Sequence, residues 1–447
     1  MYFNFVESSN YYPRSELMKT KNSRIPKYFQ MSVSDRQEVL ASSLLLKEEQ
    51  LNVLKNATDG LPLAIADKMT ENVIGTFPLP FGIATNFTIN GKDVLIPMAV
   101  EEPSVVAAAS NMARIARSTG GFSTTYSGSI MIGQIHVTNI KDMDEAKQAL
   151  NDAKLELIEK ANTYDQTLVE LGGGVKDIEL RVLELGTSEK VLIIHLLVDV
   201  LDAMGANAVN TMAERLTPTI EKLTGGDVLL RILSNLAVYR LASAKVNIPF
   251  LSLETNEFKG QDVAKRMVLA NEIALADPYR AATHNKGIMN GIDPVLIATG
   301  NDWRAIEAGA HAYATKEGQY SALTKWYTDD KTLYGELTMP MAVGIVGGAT
   351  KTHPMAQLSL QLMDVKTASE LAQIIVAVGL AQNMGAIRAL ATEGIQRGHM
   401  TLHARNIASQ VGRNPEEIDW LEQVMIEKKD VRMDTAKSLL NKKLISE

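Results

Sequence analysis

The sequence predicts an α+β fold with a large helical domain, an α/β unit inserted into it and a C-terminal helical appendage. The chain has 447 residues, and a prior of ~150 residues per domain favours about three units. Strand and helix patterns alternate between Tyr126 and Asn235, with longer helical patterns on both sides. The segment Thr367–Arg397 contains only Gly379 and Gly385 as helix breakers, which is typical of a helix inside a large domain.

Composition and charge are those of an ordinary globular protein. Apolar residues make up 46% of the chain and charged residues 22%. The formal net charge of −7 indicates no general attraction to nucleic acid or to anionic lipid. The chain has no cysteine, which excludes disulfides, zinc-thiolate sites, iron–sulfur clusters and a cysteine nucleophile. This usage is compatible with a reducing cytoplasm.

No segment is predicted to cross a membrane or to direct secretion. The longest apolar run, Leu371–Ala381, is far shorter than the ~20 residues that a spanning helix needs. The segment Met1–Asn22 is polar and mixed in charge, without the pattern of a signal peptide. We expect a poorly structured tail there and a cytoplasmic protein with no membrane partner.

Periodicity assigns the first elements after the tail. Helices are predicted over Ser34–Leu46 and Lys47–Thr58. Within Asn72–Pro97, alternating apolar residues flank Asn90-Gly91, which predicts a β-hairpin. An Ala-rich amphipathic helix follows over Val105–Arg117.

The same periodicity predicts the strands and helices of the inserted unit and of the C-terminal half. Strands are predicted in the insert over Ser129–Asn139, Ile178–Leu185, Val191–Val200 and Val228–Leu233. Helices are predicted there over Asp142–Tyr164 and Val209–Leu223. Longer helices follow over Lys259–Ala276 and Trp303–Thr315, and His399–Glu447 predicts two or three short polar helices.

Three glycine-containing segments invite a phosphate-binding interpretation. The segment Gly344–Thr352 superficially resembles a P-loop but lacks its spacing, so a tight backbone crossing is favoured. Gly172–Gly174 is explained by a turn, and no GxGxxG follows a strand. Asp202–Asn207 lies between a buried strand and a helix, where free N–H groups bind anions. Both a dinucleotide site and a plain capped turn fit that position.

A second cluster places polar residues among small and apolar ones. Arg280, Lys286 and Asp302 lie between Asp277 and Trp303. Asp302 fits the N-cap of the helix that starts at Trp303, and Lys286 fits an exposed position. A lysine–aspartate pair in apolar surroundings is also how a cation that stabilises an oxyanion is held.

Few of the seven histidines point to chemistry. His136 and His195 lie in predicted strands and fit ordinary structural roles, and His311 receives no role. His399 and His403 are spaced i, i+4, but no third ligand and no cysteine accompany them, so no metal is predicted. A histidine at the start of a mobile C-terminal segment suits a proton donor that closes over a substrate.

Six short motifs in order resemble the hydroxymethylglutaryl-coenzyme A (HMG-CoA) reductase family, specifically its soluble bacterial class II. The motifs are Glu71-Asn72-Val73-Ile74-Gly75, Glu101-Glu102-Pro103-Ser104, Asp202–Asn207, Lys286–Asn290, Gly300–Trp303 and Gly398–His403. The resemblance extends from Ser23 to the C-terminus. It implies two hydride transfers that convert HMG-CoA through bound mevaldehyde to mevalonate and CoA, a step of isoprenoid biosynthesis.

The resemblance also implies roles for individual residues. Glu102 corresponds to the acid that protonates the carbonyl oxygen, Lys286 to the cation that stabilises the oxyanion, and Asp302 lies between them. His399 corresponds to the histidine that protonates the CoA thiolate, with His403 as second choice or as a CoA contact. The implied substrate contacts are Asn290 at the reacting oxygen, Ser104 and Arg280 at the substrate carboxylate, and Gln382.

The implied cofactor is a nicotinamide dinucleotide bound by the inserted unit. Its contacts would be Asp202, Met204, Gly205, Ala206, Asn207, Thr211 and Asn235. Asp165 matches the position that meets the adenosine ribose, where a carboxylate accepts from a 2′-hydroxyl and repels a 2′-phosphate. We therefore expect NADH rather than NADPH; the alternative for Asp165 is a solvated helix-end aspartate.

The family architecture implies a ferredoxin-like small domain inserted into the large domain, and a C-terminal flap. The expected boundaries are a tail over 1–22, a large domain over 23–128 and 235–396, a small domain over 129–234 and a flap over 397–447. The resemblance also implies a homodimer with active sites at the interface, and dimers that assemble into hexamers. Two alternatives stay open: the same chemistry run oxidatively to degrade mevalonate, and a non-catalytic CoA- or dinucleotide-binding homologue.

Overall fold

The computed structural model describes residues 22–44, 46–55, 60–392 and 404–446, and its first elements surround a β-hairpin. The N-terminal helices are α1 (Val33–Leu44), α2 (Glu48–Lys55) and α3 (Leu63–Met69). Strands β1 (Phe81–Ile89) and β2 (Lys92–Ala99) pair antiparallel. Asn90 and Gly91 between them have positive φ angles of 48° and 77°. The predicted Asn-Gly hairpin is confirmed, since a type I′ turn needs positive φ at both positions.

The inserted unit is a four-stranded antiparallel sheet with helices. Its elements are β4 (Ile130–Thr138), α5 (Met143–Asp152), α6 (Lys154–Asn162), α7 (Gln166–Glu170), β5 (Gly174–Glu184), β6 (Lys190–Asp199), α8 (Ala206–Thr224) and β7 (Asp227–Ser234). It follows α4 (Val105–Ala116) and β3 (Ser123–Tyr126). The strand order β5-β6-β4-β7 and the β-α-β-β-α-β element order are those of a ferredoxin-like unit, as expected.

One predicted helix of the inserted unit is wrong. Asp142–Tyr164 forms two helices because Ala153, with ψ of 2°, leaves the helical region between α5 and α6. The first of them begins where expected, since the Asp142 carboxylate accepts from the amides of Asp144 and Glu145. This cap stabilises the α5 N-terminus.

A second sheet, in the order β3-β8-β10-β9, packs against the long helices. The elements after the insert are β8 (Leu241–Pro249), α9 (Gly260–Ala276), α10 (Pro278–Ala298), α11 (Trp303–Tyr313), β9 (Thr324–Thr328), β10 (Thr332–Pro340), α12 (Gly348–Thr352), α13 (Pro354–Met363) and α14 (Ala368–Ala391). Helix α10 and the strands β8, β9 and β10 were not predicted from the sequence. Helix α10 contains Gly287, Gly291 and Pro294, which conceal its periodicity.

The long central helix is confirmed over α14, and its continuation to Arg397 lies outside the described residues. Helices α10 and α14 approach closely at glycines. A Cβ on Gly291 would lie 2.7 Å from Gln382 Cβ, and one on Gly379 would lie 2.8 Å from Ile292 Cδ1. Since real Cβ atoms do not pack so tightly, both glycines set the distance between the helices. The side chains of these helices share one continuous hydrophobic core with the inserted sheet.

Helix α14 is long and apolar enough to cross a membrane when judged by length and composition alone. It is also a core helix, because 67% of its most apolar window is buried inside the protein. Among the described residues, no second helix passes the same test. Packing against α4, α9, α10 and the second sheet therefore accounts for the apolar composition of α14.

The C-terminal part forms three short helices with a core of their own, in agreement with the expected two or three. They are α15 (404–411), α16 (Pro415–Glu427) and α17 (Met433–Ser446). Ala408, Leu421, Met425 and Ala436 are fully buried among these helices and belong to a cluster separate from the main core.

Candidate active site

An ammonium, a carboxyl group and an amide meet at the surface of the helical part. Lys286 Nζ lies 3.0 Å from Glu102 Oε2, and Asn290 Nδ2 lies 3.3 Å from the same oxygen. Lys286 and Asn290 share one face of α10 because they are four residues apart. Glu102 comes from the turn before α4. The structure thus brings together three of the residues expected at a reacting carbonyl.

This cluster is open to a ligand. The side chain of Lys286 is 61% exposed and that of Glu102 is 37% exposed. The ammonium and the amide N–H groups are donors that can point at one oxygen atom, and the carboxyl group beside them can exchange a proton with it. Such an arrangement stabilises an oxyanion formed from a carbonyl group.

Ser104 has the geometry of a residue held for binding. Its φ of 75° is in the left-handed region, which is strained for serine. It occupies the N-cap of α4, yet its side chain makes no cap hydrogen bond. Its Oγ is buried without a hydrogen-bond partner in the described part of the chain. A strained backbone and an unsatisfied hydroxyl next to Glu102 are typical of a substrate contact.

Arg280 lies in the first turn of α10, on the same helix as Lys286. Burial lowers the pKa of its half-buried guanidinium. No described carboxylate forms an ion pair with it. Beneath it, His284 Nε2 contacts Thr324 Oγ1 at 2.6 Å and Asn383 Nδ2 at 3.0 Å. Burial and the nearby Arg280 charge lower the pKa of His284 to about 4, so this imidazole is neutral and adds no second positive charge beside Arg280.

Asp302 is the N-cap of α11, as its position before Trp303 predicted. Its carboxylate accepts from the Ala305 amide at 3.0 Å and lies 3.9 Å from Arg304 Nη2. In this structure Lys286 pairs directly with Glu102, and the expected place of Asp302 between them stays a prediction.

Gln382 of α14 lies against Gly291, the residue after Asn290. Its Oε1 is buried without a donor among the residues that the structure describes. An unsatisfied buried acceptor beside Asn290 fits the predicted substrate contact. His399 and His403 lie outside the described residues.

The junction between β6 and α8 presents a free helix N-terminus. Gly205 has a φ of 97°, and a Cβ there would lie 2.5 Å from Val200 Cγ1, so only glycine fits. No side chain caps α8, whose first turns carry Ala206, Asn207 and Thr211. Uncapped N–H groups and the helix dipole favour an anion such as a pyrophosphate.

Hydrogen bonds with backbone amides of distant segments fix the residues before Gly205. The Asp202 carboxylate accepts from the Ala368 amide at the start of α14, at 2.7 Å. The Ile345 amide donates to the Asp202 carbonyl at 2.9 Å, and a Cβ on Gly344 would lie 2.5 Å from the Met204 nitrogen. The predicted backbone crossing at Gly344 is therefore confirmed.

Arg240, which the sequence analysis missed, fixes this crossing. It is fully buried, and its guanidinium donates to the carbonyls of Ala203, Met204 and Val343. It also donates to the Tyr126 hydroxyl at 2.8 Å. The buried charge is satisfied by these acceptors, and a lone arginine before an apolar strand gave no signal of this role.

Of the remaining predicted cofactor contacts, Asp165 lies on the inserted unit and Asn235 directly follows it. Asp165 caps α7 by accepting from the Leu168 amide at 3.0 Å. This is the helix-end position named as the alternative, and the ribose contact stays a prediction. Asn235 follows β7, and its carbonyl approaches Gly309 of α11 so closely that a Cβ there would lie 2.5 Å away.

Comparisons with known proteins agree with this fold. Residues 32–404 match the family model for hydroxymethylglutaryl-coenzyme A reductase. A 3-hydroxy-3-methylglutaryl-coenzyme A reductase of Archaeoglobus fulgidus is 53% identical over 97% of both chains. A probable reductase of Borreliella burgdorferi is 39% identical over 76% of this chain and 77% of its own.

Solved structures of the Streptococcus pneumoniae reductase match in three dimensions. One has a TM-score of 0.80 at 41% identity, covering 93% of this chain and 99% of its own. Another, described as the class II enzyme bound to NADPH in open conformations, has a TM-score of 0.79 and covers 82% and 99%. These matches define the protein class as an oxidoreductase with the fold of the class II reductases. The chain belongs to the hydroxymethylglutaryl-coenzyme A reductase family.

Proposed function

We propose that this chain reduces HMG-CoA to mevalonate and free CoA in two hydride transfers at one site. The observation that carries the proposal is the contact of Lys286 and Asn290 with Glu102 beside the unsatisfied Ser104 hydroxyl. A bound nicotinamide dinucleotide supplies the hydride. The residues of the chain orient the carbonyl, stabilise its developing charge and supply protons.

The first reduction converts the thioester carbonyl into an oxyanion. The Lys286 ammonium and the Asn290 amide lie on one helix face and donate to that oxygen, and one such donor is worth ~3 kcal/mol of barrier. Glu102, in contact with both, protonates the oxyanion when its carboxyl group is neutral, which gives a hemithioacetal. Glu102 takes this proton back as the C–S bond breaks to give mevaldehyde and a thiolate.

The thiolate and the aldehyde need one proton each. A free thiol has a pKa of ~8.5, so a histidine that titrates near neutrality can return its proton. We assign this step to His399, with His403 as second choice or as a CoA contact. The aldehyde oxygen occupies the same place beside Lys286 and Glu102 during the second hydride transfer. Asp302 is proposed to support this network from the start of α11.

The rest of the substrate is held by its charge. The Arg280 guanidinium and the Ser104 hydroxyl have no hydrogen-bonding or ionic partner in the described chain that competes for an anion, and we assign them to the substrate carboxylate. Gln382 of α14 is proposed to contact the substrate through its unsatisfied Oε1.

We propose NADH as the preferred cofactor, bound at the start of α8. The relative from Streptococcus pneumoniae was bound to NADPH, which supports a nicotinamide dinucleotide here. The preference rests on Asp165, whose carboxylate caps α7 through Oδ1 and has a second oxygen for a ribose 2′-hydroxyl. The same charge repels a 2′-phosphate.

We further propose a cytoplasmic homodimer with the active site at the interface, assembled into hexamers as the family architecture implies. Ile74 and Phe77, in and beside the Glu71–Gly75 motif, are 101% and 91% exposed, which supports a partner on that segment. We also propose the domain boundaries that were expected from the sequence. Mevalonate oxidation uses the same site, since a catalyst accelerates both directions.

The proposal is tested with purified protein, HMG-CoA and either NADH or NADPH, following the near-ultraviolet absorbance of the reduced nicotinamide. We expect oxidation of the nucleotide only when HMG-CoA is present, and faster oxidation of NADH. Glu102→Gln should remove this activity while preserving the fold. Absence of activity in the folded wild type, in both reaction directions, would overturn the proposal and favour the non-catalytic alternative.

A further inference from the structure

A chain of polar side chains connects α10 to α11 directly below the candidate active site. The carboxyl groups of Asp293 and Glu307 are in hydrogen-bond contact. Glu307 Oε2 lies 2.7 Å from His311 Nε2, and His311 Nδ1 lies 2.7 Å from the Tyr320 hydroxyl. Asn285 of α10 donates to the Ser321 carbonyl at 2.9 Å and accepts from the Leu323 amide at 3.0 Å, which ties the segment that carries Tyr320 to α10. The chain therefore begins and ends on α10.

The two ends of this chain bracket the catalytic side chains. Asn285 precedes Lys286, and Asp293 follows Asn290 by three residues. Lys286, Asn290 and Asp293 lie on the same face of α10 because they are spaced by four and three residues. Asp302 is the N-cap of the partner helix α11. The contacts thus fix the helix that carries Lys286 against the helix that carries Asp302.

Two carboxyl groups in contact are stable only if they share a proton. No donor group of the described residues reaches the buried Asp293 Oδ1, which disfavours a charge on Asp293. Burial and the neighbouring Glu307 raise the pKa of Asp293 to about 8. Hydrogen bonding to His311 is the main cause that lowers the pKa of Glu307, and Glu307 raises the pKa of His311.

We propose that Asp293 is a positioning residue whose proton, shared with Glu307, holds α10 in the register that places Lys286 beside Glu102. The role assigned to Lys286 rests on the proposed function, but the shared proton does not. Below the titration of Asp293 the neutral carboxyl group donates to the Glu307 carboxylate. At a pH above this titration, two negative carboxylates repel each other, and the contact between α10 and α11 is lost.

The titratable groups connected to Asp293 lie on α11 and on the segment after it. Glu307 of α11 acts on it directly, and His311 acts on Glu307. From the segment after α11, Tyr320 contacts His311, and burial raises the pKa of this phenol. From α14, the neutral Gln382 packs against Gly291. Titration of the Asp293–Glu307 pair is therefore the event that loosens this contact as the pH rises.

The first test compares Asp293→Asn with Asp293→Ala in the intact protein. Asparagine keeps a donor for Glu307 but cannot ionise, so kcat at neutral pH should stay within about threefold of wild type. Alanine removes the contact with Glu307, and kcat should fall by roughly 10- to 100-fold, which is the effect of a misplaced catalytic group. KM for HMG-CoA should change by a smaller factor than kcat, because the substrate contacts proposed for Ser104 and Gln382 lie outside α10.

The pH profile separates positioning from a merely structural role. Wild-type kcat should decline as the pH rises through about 8, and Asp293→Asn should lack this decline. An Asp293→Ala variant with kcat within twofold of wild type would overturn the proposal. Identical alkaline profiles of wild type and Asp293→Asn would overturn it as well.

A second measurement tests the shared proton without any turnover. Because the folded state raises the pKa of Asp293, its contribution to stability is greatest below the unfolded value and falls as the pH rises to about 8. The difference in Tm between Asp293→Asn and wild type should therefore increase across that range and then level off. A difference independent of pH would refute the shared proton, whereas an inactive wild type would refute only the proposed function.

Discussion

Removal of the Lys286 ammonium should lower the rate of catalysis without lowering the stability of the fold. Lys286→Ala removes a donor that lies 3.0 Å from Glu102 and shares a helix face with Asn290. A preorganised donor of this kind lowers the barrier by ~3 kcal/mol, so kcat should fall by a factor of ~10² to 10³. Both hydride transfers should slow, since the thioester oxygen and the aldehyde oxygen are proposed to accept from the same ammonium.

The same substitution should barely affect folding. The Lys286 side chain is 61% exposed, and an ion pair in water contributes at most ~1 kcal/mol to the free energy of unfolding. The chain offers a matched control in Lys245, whose Nζ lies 3.1 Å from Glu336 with 65% of the side chain exposed. Lys245→Ala removes a similar pair on β8, distant in sequence from the candidate site.

The assay is steady-state oxidation of NADH with HMG-CoA, and separately with added mevaldehyde, together with thermal unfolding of both variants. We expect Lys286→Ala to lose activity on both substrates with Tm close to wild type, and Lys245→Ala to retain activity. Nucleotide binding, measured by nicotinamide fluorescence, should persist in both. Near-normal turnover by Lys286→Ala would refute the oxyanion role, and equal losses in the two variants would refute the location of the site.

Three further predictions concern the proton donor, the cofactor and a strained turn. His399→Gln should block reduction of the thioester but spare reduction of added mevaldehyde, which releases no thiolate; equal loss of both steps would contradict this role. Asp165→Asn should reduce the preference for NADH over NADPH in kcat/KM, and an unchanged ratio would remove Asp165 from cofactor selection. Gly205→Ala should lower the free energy of unfolding by at least ~1 kcal/mol, because φ is 97° and Val200 occupies the space of a Cβ, and an unchanged Tm would contradict it.

Local signals in the sequence were sufficient for the elements that depend on local chemistry. Asn90-Gly91 predicted the β1–β2 hairpin because few other residues adopt positive φ twice in succession. The near-continuous apolar run Val191–Val200 predicted the buried strand β6. Asp302 was identified as an N-cap from its position before Trp303. Each of these follows from preferences of single residues or short patterns.

Features that depend on contacts between distant segments were not predictable in this way. Helix α10 was missed because its glycines and Pro294 are tolerated through close packing on α14, which periodicity does not register. Asp293, whose carboxyl group contacts Glu307, lies on a different helix. The four acceptors of Arg240 come from several segments that are distant from it in sequence. The catalytic roles came from resemblance to a family, and the structure added the geometry of Glu102, Lys286 and Asn290.

The measurement that tests the central claim most directly is the ratio of nucleotide oxidised to CoA released. Wild-type protein is mixed with limiting HMG-CoA and excess NADH, and the loss of nicotinamide absorbance is compared with free thiol from the same sample. Two successive reductions at one site predict two nucleotides oxidised for each thiol, without free mevaldehyde. A ratio of one with accumulated aldehyde, or thiol release without oxidation of nucleotide, would contradict the account.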